Sequence, residues 1–346
     1  MSTPTRPAGT AAPAVPAGPP PPRRAPLRRV PLAAGVVVVL ALVAVSLAVG
    51  GYDITVETFL HDEAAREMFF ISRVPRTLAL VLAAAAMGVS GVVMQVLVQN
   101  RFVEPTTTGS SQWAALGIVV LAVVHPGAPT VVRMVVASLL ALVGTLVFLG
   151  VLRRVSLRSS VVVPLVGIML GSVVGAATTY LASDNDLLQM LAAWRSGGFN
   201  DIVRGRYEPL WIVGLVVVAV YVTADRFTIA GLGRDVATNL GLHHGRVVFT
   251  GTAMVALATG VTTVVVGFVP FLGLVVPNAV SLLRGDDVRR NLPWVVLASV
   301  ALMVVCDLVG RTVVFPLEVP ASVVLGAVGA TGFVVLVLRR RGSLRG

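Results

Sequence analysis

The sequence predicts an all-α integral membrane protein that crosses the bilayer many times. Three observations carry that prediction. Hydrophobic residues make up 56% of the chain and charged residues only 12%, against about 25% charged in a soluble domain. The apolar residues are gathered into runs of membrane-spanning length, which takes ~20 residues of helix. Charge sits between those runs: the 346 residues hold 27 arginines, no lysine and a net charge of +11. A basic balance points to nucleic acid only where it forms a patch on a folded surface. Interleaved with apolar runs it sets topology instead, so the expected surroundings are a lipid bilayer and no nucleic acid. The single cysteine, Cys306, excludes an intramolecular disulfide and reads as a small buried hydrophobe.

Taken in order, residues 1–29 differ from the rest. Ten of the 21 prolines lie in the first 31 residues, with Arg6, Arg23, Arg24, Arg28 and Arg29 among them. Such a segment cannot bury a core and is expected to be a disordered tail of polyproline character. The polytopic domain is expected over 30–340. Its first run, Val30–Val49, is 20 residues long; a signal-peptide core has about 7–15, so a retained helix is expected. Clear runs follow near 77–98, 131–152, 161–182, 248–268, 293–314 and 320–338, with shorter ones at 107–124, 210–224 and 269–283. Hydropathy by itself therefore gives seven to ten helices. The short runs suit broken helices, which membrane depth permits only where they are buried in protein or line a cavity. Small residues alternating in 83–91 and 167–177 suit close helix packing, with substrate lining as the alternative. Pro75 suits the first turn of a helix, where its missing N–H is not needed. Arg73 and Arg76 do not suit that place, because a helix N-terminus disfavours cations by ~0.3–1 kcal/mol each. A partner outside that helix is expected.

The stretch 73–117, RVPRTLALVLAAAAMGVSGVVMQVLVQNRFVEPTTTGSSQWAALG, carries a resemblance. Its Arg-Val-Pro-Arg-Thr opening, followed by a helix containing Gly88, Ser90, Met94 and Gln95, is similar to the hallmark of the iron–siderophore, haem and cobalamin family of ABC-transporter permeases. NRFVEPTTTG at 100–109 departs from the commonest family form, N-P-L-A-x-P-x-x-L-G. It resembles the form of the catecholate-siderophore (petrobactin/enterobactin-type) branch. The blocks at 267–293 and 306–333 agree, with Asn278 where many of these permeases have His. The resemblance spans roughly residues 30–340 and implies ten transmembrane helices. With ten helices and the N-terminus inside, cytoplasmic segments carry 19 of the 27 arginines. Arg66, Arg73, Arg76, Arg133, Arg195, Arg204, Arg206 and Arg311 fall outside, together with most of the acidic residues. That asymmetry is the positive-inside pattern, and two basic tails on one side require an even number of crossings. Both termini are expected in the cytoplasm.

The resemblance implies the permease subunit of a binding-protein-dependent ABC importer in the cell (cytoplasmic) membrane, moving ferric siderophore into the cytoplasm. Haem or cobalamin are the alternative cargoes. It implies a second permease chain, as a heterodimer or else a homodimer, two ATPase subunits that hold ATP and Mg, and an extracytoplasmic siderophore-binding protein. The chain itself is expected to be no enzyme and to bind no cofactor or metal. His61, His125, His243 and His244 include no i,i+4 ligand pair, and without lysine there is no Walker loop. ATP hydrolysis therefore belongs to a separate polypeptide.

Asp307 is an acid inside an apolar run, by default a functional residue. Arg311 stands four residues on, so a structural ion pair is one reading. Ion coupling by Asp307 is the other, and it would make the chain a proton- or cation-coupled secondary transporter. In 225–246 the apolar positions Leu232, Val236 and Leu240 recur at four-residue spacing, as in an interfacial helix. By the resemblance, Asp235, Ala237, Leu240 and Gly241 match the coupling segment that seats in the ATPase. The segment 183–209, with Trp194 in WRSGGF, is expected to rim the outer mouth, with interfacial packing of Trp194 as the alternative. Polar groups on apolar helices, namely Met94, Gln95, Gln99, Thr106, Thr107, Thr108, Ser110, Ser111 and Gln112, are candidate pathway residues or else interhelical hydrogen bonders. A ferric catecholate is large and anionic, and a weakly polar path would let it leave as well as enter. By the resemblance, Ser159 and Ser160 lie near an inner gate. Arg73, Arg76 and Arg311 match the external arginines that receive acidic residues of the binding protein. For the first two, snorkelling to lipid headgroups is the alternative.

Overall fold

The computed structural model describes residues 31–50, 59, 61–154, 162–314 and 316–343, with side chains of the last helix to Val334. Among the described residues every regular element is helical, and each of the apolar runs holds a helix. They are α1 (Leu32–Ala48), α2 (Glu63–Val98), α3 (Ser110–Val124), α4 (Thr130–Arg154), α5 (Val162–Asp184), α6 (Leu188–Ser196), α7 (Trp211–Val222), α8 (Ala224–Gly231), α9 (Arg234–Asn239), α10 (His244–Val265), α11 (Leu272–Arg284), α12 (Val288–Thr312) and α13 (Ala321–Ser343). Five of them, α2, α4, α5, α10 and α12, are long and apolar enough to cross a membrane. The helical stretch 208–222 and α8, bent at 61° to each other, are together apolar and long enough for a broken span or a re-entrant loop, so the long spans number five or six. α1, α3, α11 and the described part of α13 are shorter apolar helices of 10–17 residues. The tail at 1–29 lies outside the described residues.

α2 is the axis of the bundle. It is 36 residues long and 83% of its most apolar window is buried, with α7, α10, α11 and α12 packed around it. Small residues allow this crowding. A Cβ on Gly91 would stand 2.0 Å from the carbonyl oxygen of Gly273 on α11, and one on Gly88 2.1 Å from Ser299 Oγ on α12. In lipid, such close backbone approach takes the place of a hydrophobic drive between helices. Around α2 runs one continuous core that includes Leu80, Met87, Met94, Phe227, Leu272, Leu292 and Met303. α3, α4, α5 and α10 form a second layer beside it.

The helix does not begin at Pro75, as the sequence suggests. It begins at Glu63, where the Asp62 carboxylate accepts the N–H of Ala64 at 2.9 Å, a side-chain N-cap. Pro75 is then inside a helix, which ordinarily costs ~3 kcal/mol. Two features accommodate it. Residues Phe69–Arg73 widen into a π turn, and the Ile71 carbonyl, which Pro75 cannot serve, accepts the N–H of Arg204 at 2.9 Å. Arg73 and Arg76 therefore sit about three to four turns into a helix rather than at its exposed N-terminus.

Between α2 and α3 the chain folds back on itself. Gln99, in the left-handed region at φ 52°, ends α2, and α3 starts after Gly109 at φ 84°. The Glu104 side chain in this turn is fully buried. Its Oε1 accepts the N–H of Phe271 at 2.9 Å and the hydroxyl of Thr106, so a carboxylate holds the N-terminal end of α11.

The Gly91–Gly273 approach gives a direct test. Gly91→Leu must separate α2 from α11 against backbone, so it is expected to lose at least the ~1–3 kcal/mol of a typical overpacking change. Gly150→Ala, inside α4 where a Cβ meets nothing within 4 Å, is expected to keep or slightly raise the melting temperature. Equal melting temperatures for the two purified variants would contradict this packing.

Candidate functional site

The charged residues singled out in the sequence meet at the end of the bundle where α1 finishes and α2 reaches Arg73. Asp307 on α12 is 1% exposed, and both of its oxygens are taken. Oδ1 accepts Nη2 of Arg76 at 2.8 Å, and Oδ2 accepts Nε of Arg311 at 2.7 Å, with Nη2 of the same guanidinium as a second donor. Arg76 continues to Glu318 Oε2 at 2.8 Å and Asn200 Oδ1 at 3.2 Å. Glu318 lies between α12 and α13, so the network ties α2, α12 and the approach to α13.

The same arginines secure α1. Arg73 Nη1 donates to the carbonyls of Leu47 and Ala48 at 2.9 and 2.8 Å. Arg311 donates to the carbonyls of Ser46 and Val49 and to Ser46 Oγ, at 3.3, 2.8 and 2.8 Å. The last carbonyls of a helix lack intrahelical donors, and its C-terminal end favours cations. This is the partner that the misplaced arginines require. Arg73 and Arg311 are 8% and 7% exposed, so all three predicted docking arginines are occupied within the chain. The i,i+4 pair of Asp307 and Arg311 stands as read from the sequence. Arg76, 231 positions from Asp307, is the member that spacing could not supply.

At the opposite end, where α2 reaches Gln99, lies the segment matched to a coupling element. α8 and α9 are separated by Gly233 at φ 104°, and Gly241 at φ 80° follows α9. Ala237 is fully buried and anchors α9, while Leu232, Val236 and Leu240 are 61%, 44% and 61% exposed. Asp235 is exposed in the first turn of α9. The helical pair thus turns an apolar ridge away from its own bundle. An exposed ion pair between Arg289 of α12 and Asp225 lies at its root.

The candidate pathway residues divide. Gln95 and Gln99 donate to the carbonyls of Gly273 and Gly231, each at 3.0 Å. Both line a cavity of about 380 Å³ with Asn100, Asn278 and Asn291 at the Gln99 end. Met94 is fully buried. Thr107 is closed into its own turn, its hydroxyl accepting the Glu104 N–H at 2.9 Å. Thr108, Ser110 and Thr145 form a buried hydroxyl chain, and Ser111 is buried beside it. Thr106 and Gln112 alone among these residues line a different cavity, of about 400 Å³, along α5. Ser159 and Ser160 lie outside the described residues. Trp194 packs against both α3-side clusters and also lines a polar cavity of about 590 Å³ with Arg133, Asn200 and Arg206 at the Arg73 end.

Sequence reading missed three residues that the geometry makes central. Glu318 has only a side of the membrane in the sequence, Ser46 is one hydroxyl in an apolar run, and Glu104 sits unremarked within its motif. An acid flanked by apolar residues and proline was the available signal for Glu104. Among the described residues no group of three or more His, Cys, Asp or Glu could hold a metal.

A model of the FecCD transport family matches residues 37–339. Similar proteins include the petrobactin import system permease protein FatD of Bacillus anthracis, 45% identical over 90% of this chain and 92% of that protein. The petrobactin import system permease protein YclN of Bacillus subtilis (strain 168) is 37% identical over 88% of this chain and 97% of that protein. An inward-facing structure of a metal-chelate type ABC transporter superposes with a TM-score of 0.76 at 22% identity, over 89% of this chain and 98% of that one. At that identity the likeness is one of fold.

The charge network predicts a mutational pattern. Asp307→Asn leaves two buried guanidiniums short of a counter-charge and is expected to cost about 3–5 kcal/mol, as breaking a buried pair does. Adding Arg311→Met should return part of that loss, because the stranded charge goes with it. Melting curves of the purified single and double variants measure both. Strictly additive losses would mean that the two residues act independently.

Proposed function

The chain belongs to the FecCD transport family, and from that premise we propose that it is the permease subunit of a binding-protein-dependent ABC importer that carries a ferric siderophore into the cytoplasm. The observation that carries the ATP-coupled reading is the uncovered ridge Leu232, Val236 and Leu240, presented on a helical pair at one end of the bundle. Exposed apolar residues on a built element call for a partner, and here that partner is the ATPase. Asp235, Ala237, Leu240 and Gly241 shape this surface. The chain contributes no nucleotide chemistry, so ATP and Mg belong to two ATPase subunits.

The topology that accompanies this reading has ten crossings with both termini in the cytoplasm. Five long spans, the bent pair counted as a sixth and four shorter apolar helices support a count of ten, and the arginine asymmetry supports the direction. We assign the Arg73 end to the outside and the Gln99 end to the cytoplasm, in a multi-pass protein of the cell membrane. α5 is the least covered of the long helices, with 28% of its window buried. A second permease is assigned to that face, a related chain in preference to an identical one, and the cargo path to the boundary between them. Secondary transport through Asp307 finds no comparable support, since both oxygens of that carboxylate are engaged by arginines.

Docking of the extracytoplasmic binding protein is assigned to the Arg73 end. Arg76 reaches this surface with Glu318 already on it, and the Glu318 side chain is 29% exposed. An acidic residue of the binding protein would take the place of Glu318. Glu318→Gln is therefore expected to raise the affinity for the binding protein about two- to fivefold at low salt, the scale of a partly exposed ion pair. Titration by surface plasmon resonance measures it, and unchanged affinity would move docking away from Arg76.

The function is tested by reconstituting the complex in proteoliposomes and following uptake of radioactive iron as its siderophore complex. Uptake is expected to require ATP inside and binding protein outside and to ignore a proton uncoupler. Leu232→Asp with Leu240→Asp is expected to lower ATPase co-purification by roughly tenfold or more, as loss of buried interface anchors does, without changing the melting temperature. Uptake that persists without the ATPase and collapses with the uncoupler would instead establish a secondary transporter.

A further inference from the structure

Arg195 differs from the three arginines of the outer network in having neither a carboxylate nor a helix C-terminus as partner. It lies in the last turn of α6, a nine-residue helix seated by Leu191 against Ala115, Val119 and Ala182. From there its side chain extends across α5, where Nη2 donates to the Gly175 carbonyl at 3.2 Å and to Thr179 Oγ1 at 2.8 Å. Both partners are neutral. Among the described residues no acid stands within ion-pair distance of Arg195, and Nε and Nη1 have no partner.

The guanidinium borders the cavity of about 400 Å³ along α5 and is the one charged side chain among the described residues lining it. The wall beside it is small and neutral: Gly171, Ser172, Gly175 and Ala176. Deeper in, Gln112 presents a buried Oε1 without a hydrogen-bond partner. A single fixed cation in an otherwise neutral wall sets the sign of the potential in that cavity. The two hydrogen bonds to α5 hold the fork in place, so its remaining N–H groups meet an incoming oxygen pair with little further ordering.

From this arrangement we infer that Arg195 is a charge-selecting residue at the α5 cavity, recruiting an anionic ferric chelate through the catecholate or carboxylate oxygens on its surface. The inference rests on the permease reading and deepens it, since it states which sign of cargo this chain favours. Once the chelate has entered, only the neutral wall remains, so the charge raises capture without fixing the cargo in place.

The test uses the importer assembled with its ATPase and binding protein in proteoliposomes, with ferric petrobactin as the probe. Arg195→Gln keeps amide donors for Gly175 and Thr179 but removes the charge. It is expected to raise the apparent KM for uptake about tenfold, the lower end of electrostatic recruitment, with the melting temperature, basal ATPase activity and binding-protein affinity unchanged. Arg195→Lys is expected to keep most of the wild-type KM. Added salt should raise the KM of the wild type more than that of Arg195→Gln, so that the two converge at high salt. Wild-type KM in Arg195→Gln at low salt would overturn the inference. So would an equal loss in the Lys and Gln variants, which would make Arg195 a geometric tether between α5 and α6. Absence of ATP-driven uptake by the wild-type complex would overturn the siderophore-permease reading itself, a result distinct from either.

Discussion

One buried carboxylate organises an end of this bundle. Asp307 engages guanidiniums from two helices, and those guanidiniums reach a third helix and the loop before a fourth. Burying three charges is expensive on its own, and removing any one of them strands the others. The arrangement therefore acts as a unit. Its effect is clearest in α1, whose only buried residue is Ser46. Most of that helix presents apolar side chains to lipid, which offers little to choose between positions along its neighbours. Arg73 and Arg311 remove the ambiguity by capping its last turn, supplying the donors that its terminal carbonyls lack.

A second constraint operates at membrane depth, where every backbone polar group needs a partner inside the protein. The turn between α2 and α3 meets it with side chains. Glu104 serves the start of α11, Thr107 serves Glu104, and Asn278 on α11 donates back to the carbonyl of Arg101 at 2.7 Å. The result is a non-helical passage in which Val103, Glu104, Thr107 and Thr108 are buried. The π turn before Pro75 belongs to the same class of solution, with Arg204 completing from another segment what proline leaves undone.

These constraints separate the parts that hold from the parts that meet partners. α2 and the helices around it are enclosed, and the charged side chains of Arg73, Arg76, Asp307 and Arg311 find their partners within the chain. Apolar ridges on α8–α9 and the open flank of α5 are not enclosed, and these are the surfaces assigned to the ATPase and the second permease. The charge of Arg195 falls on this second kind of surface, which is why it lacks the counter-charge that Arg76 and Arg311 have.

The sequence by itself determined the class of the fold and the approximate place of the apolar runs, and it offered the Asp307–Arg311 pair as one of two readings, because hydropathy and i,i+4 spacing are local properties of a chain. It also showed that Arg73 and Arg76 were out of place at a presumed helix start, which is a local electrostatic argument. Only the tertiary structure decided where they belong. The helix began twelve residues before Pro75, at Glu63 with its Asp62 cap, and the partners of the two arginines were carbonyls of α1 and a carboxylate 231 positions away. Glu104 and Glu318 were visible as acids and unassignable as partners for the same reason. Periodicity states which face of a helix is apolar, but which distant group completes a buried charge depends on how the helices cross. That is fixed by contacts such as Gly91 against Gly273, which no single stretch of sequence contains.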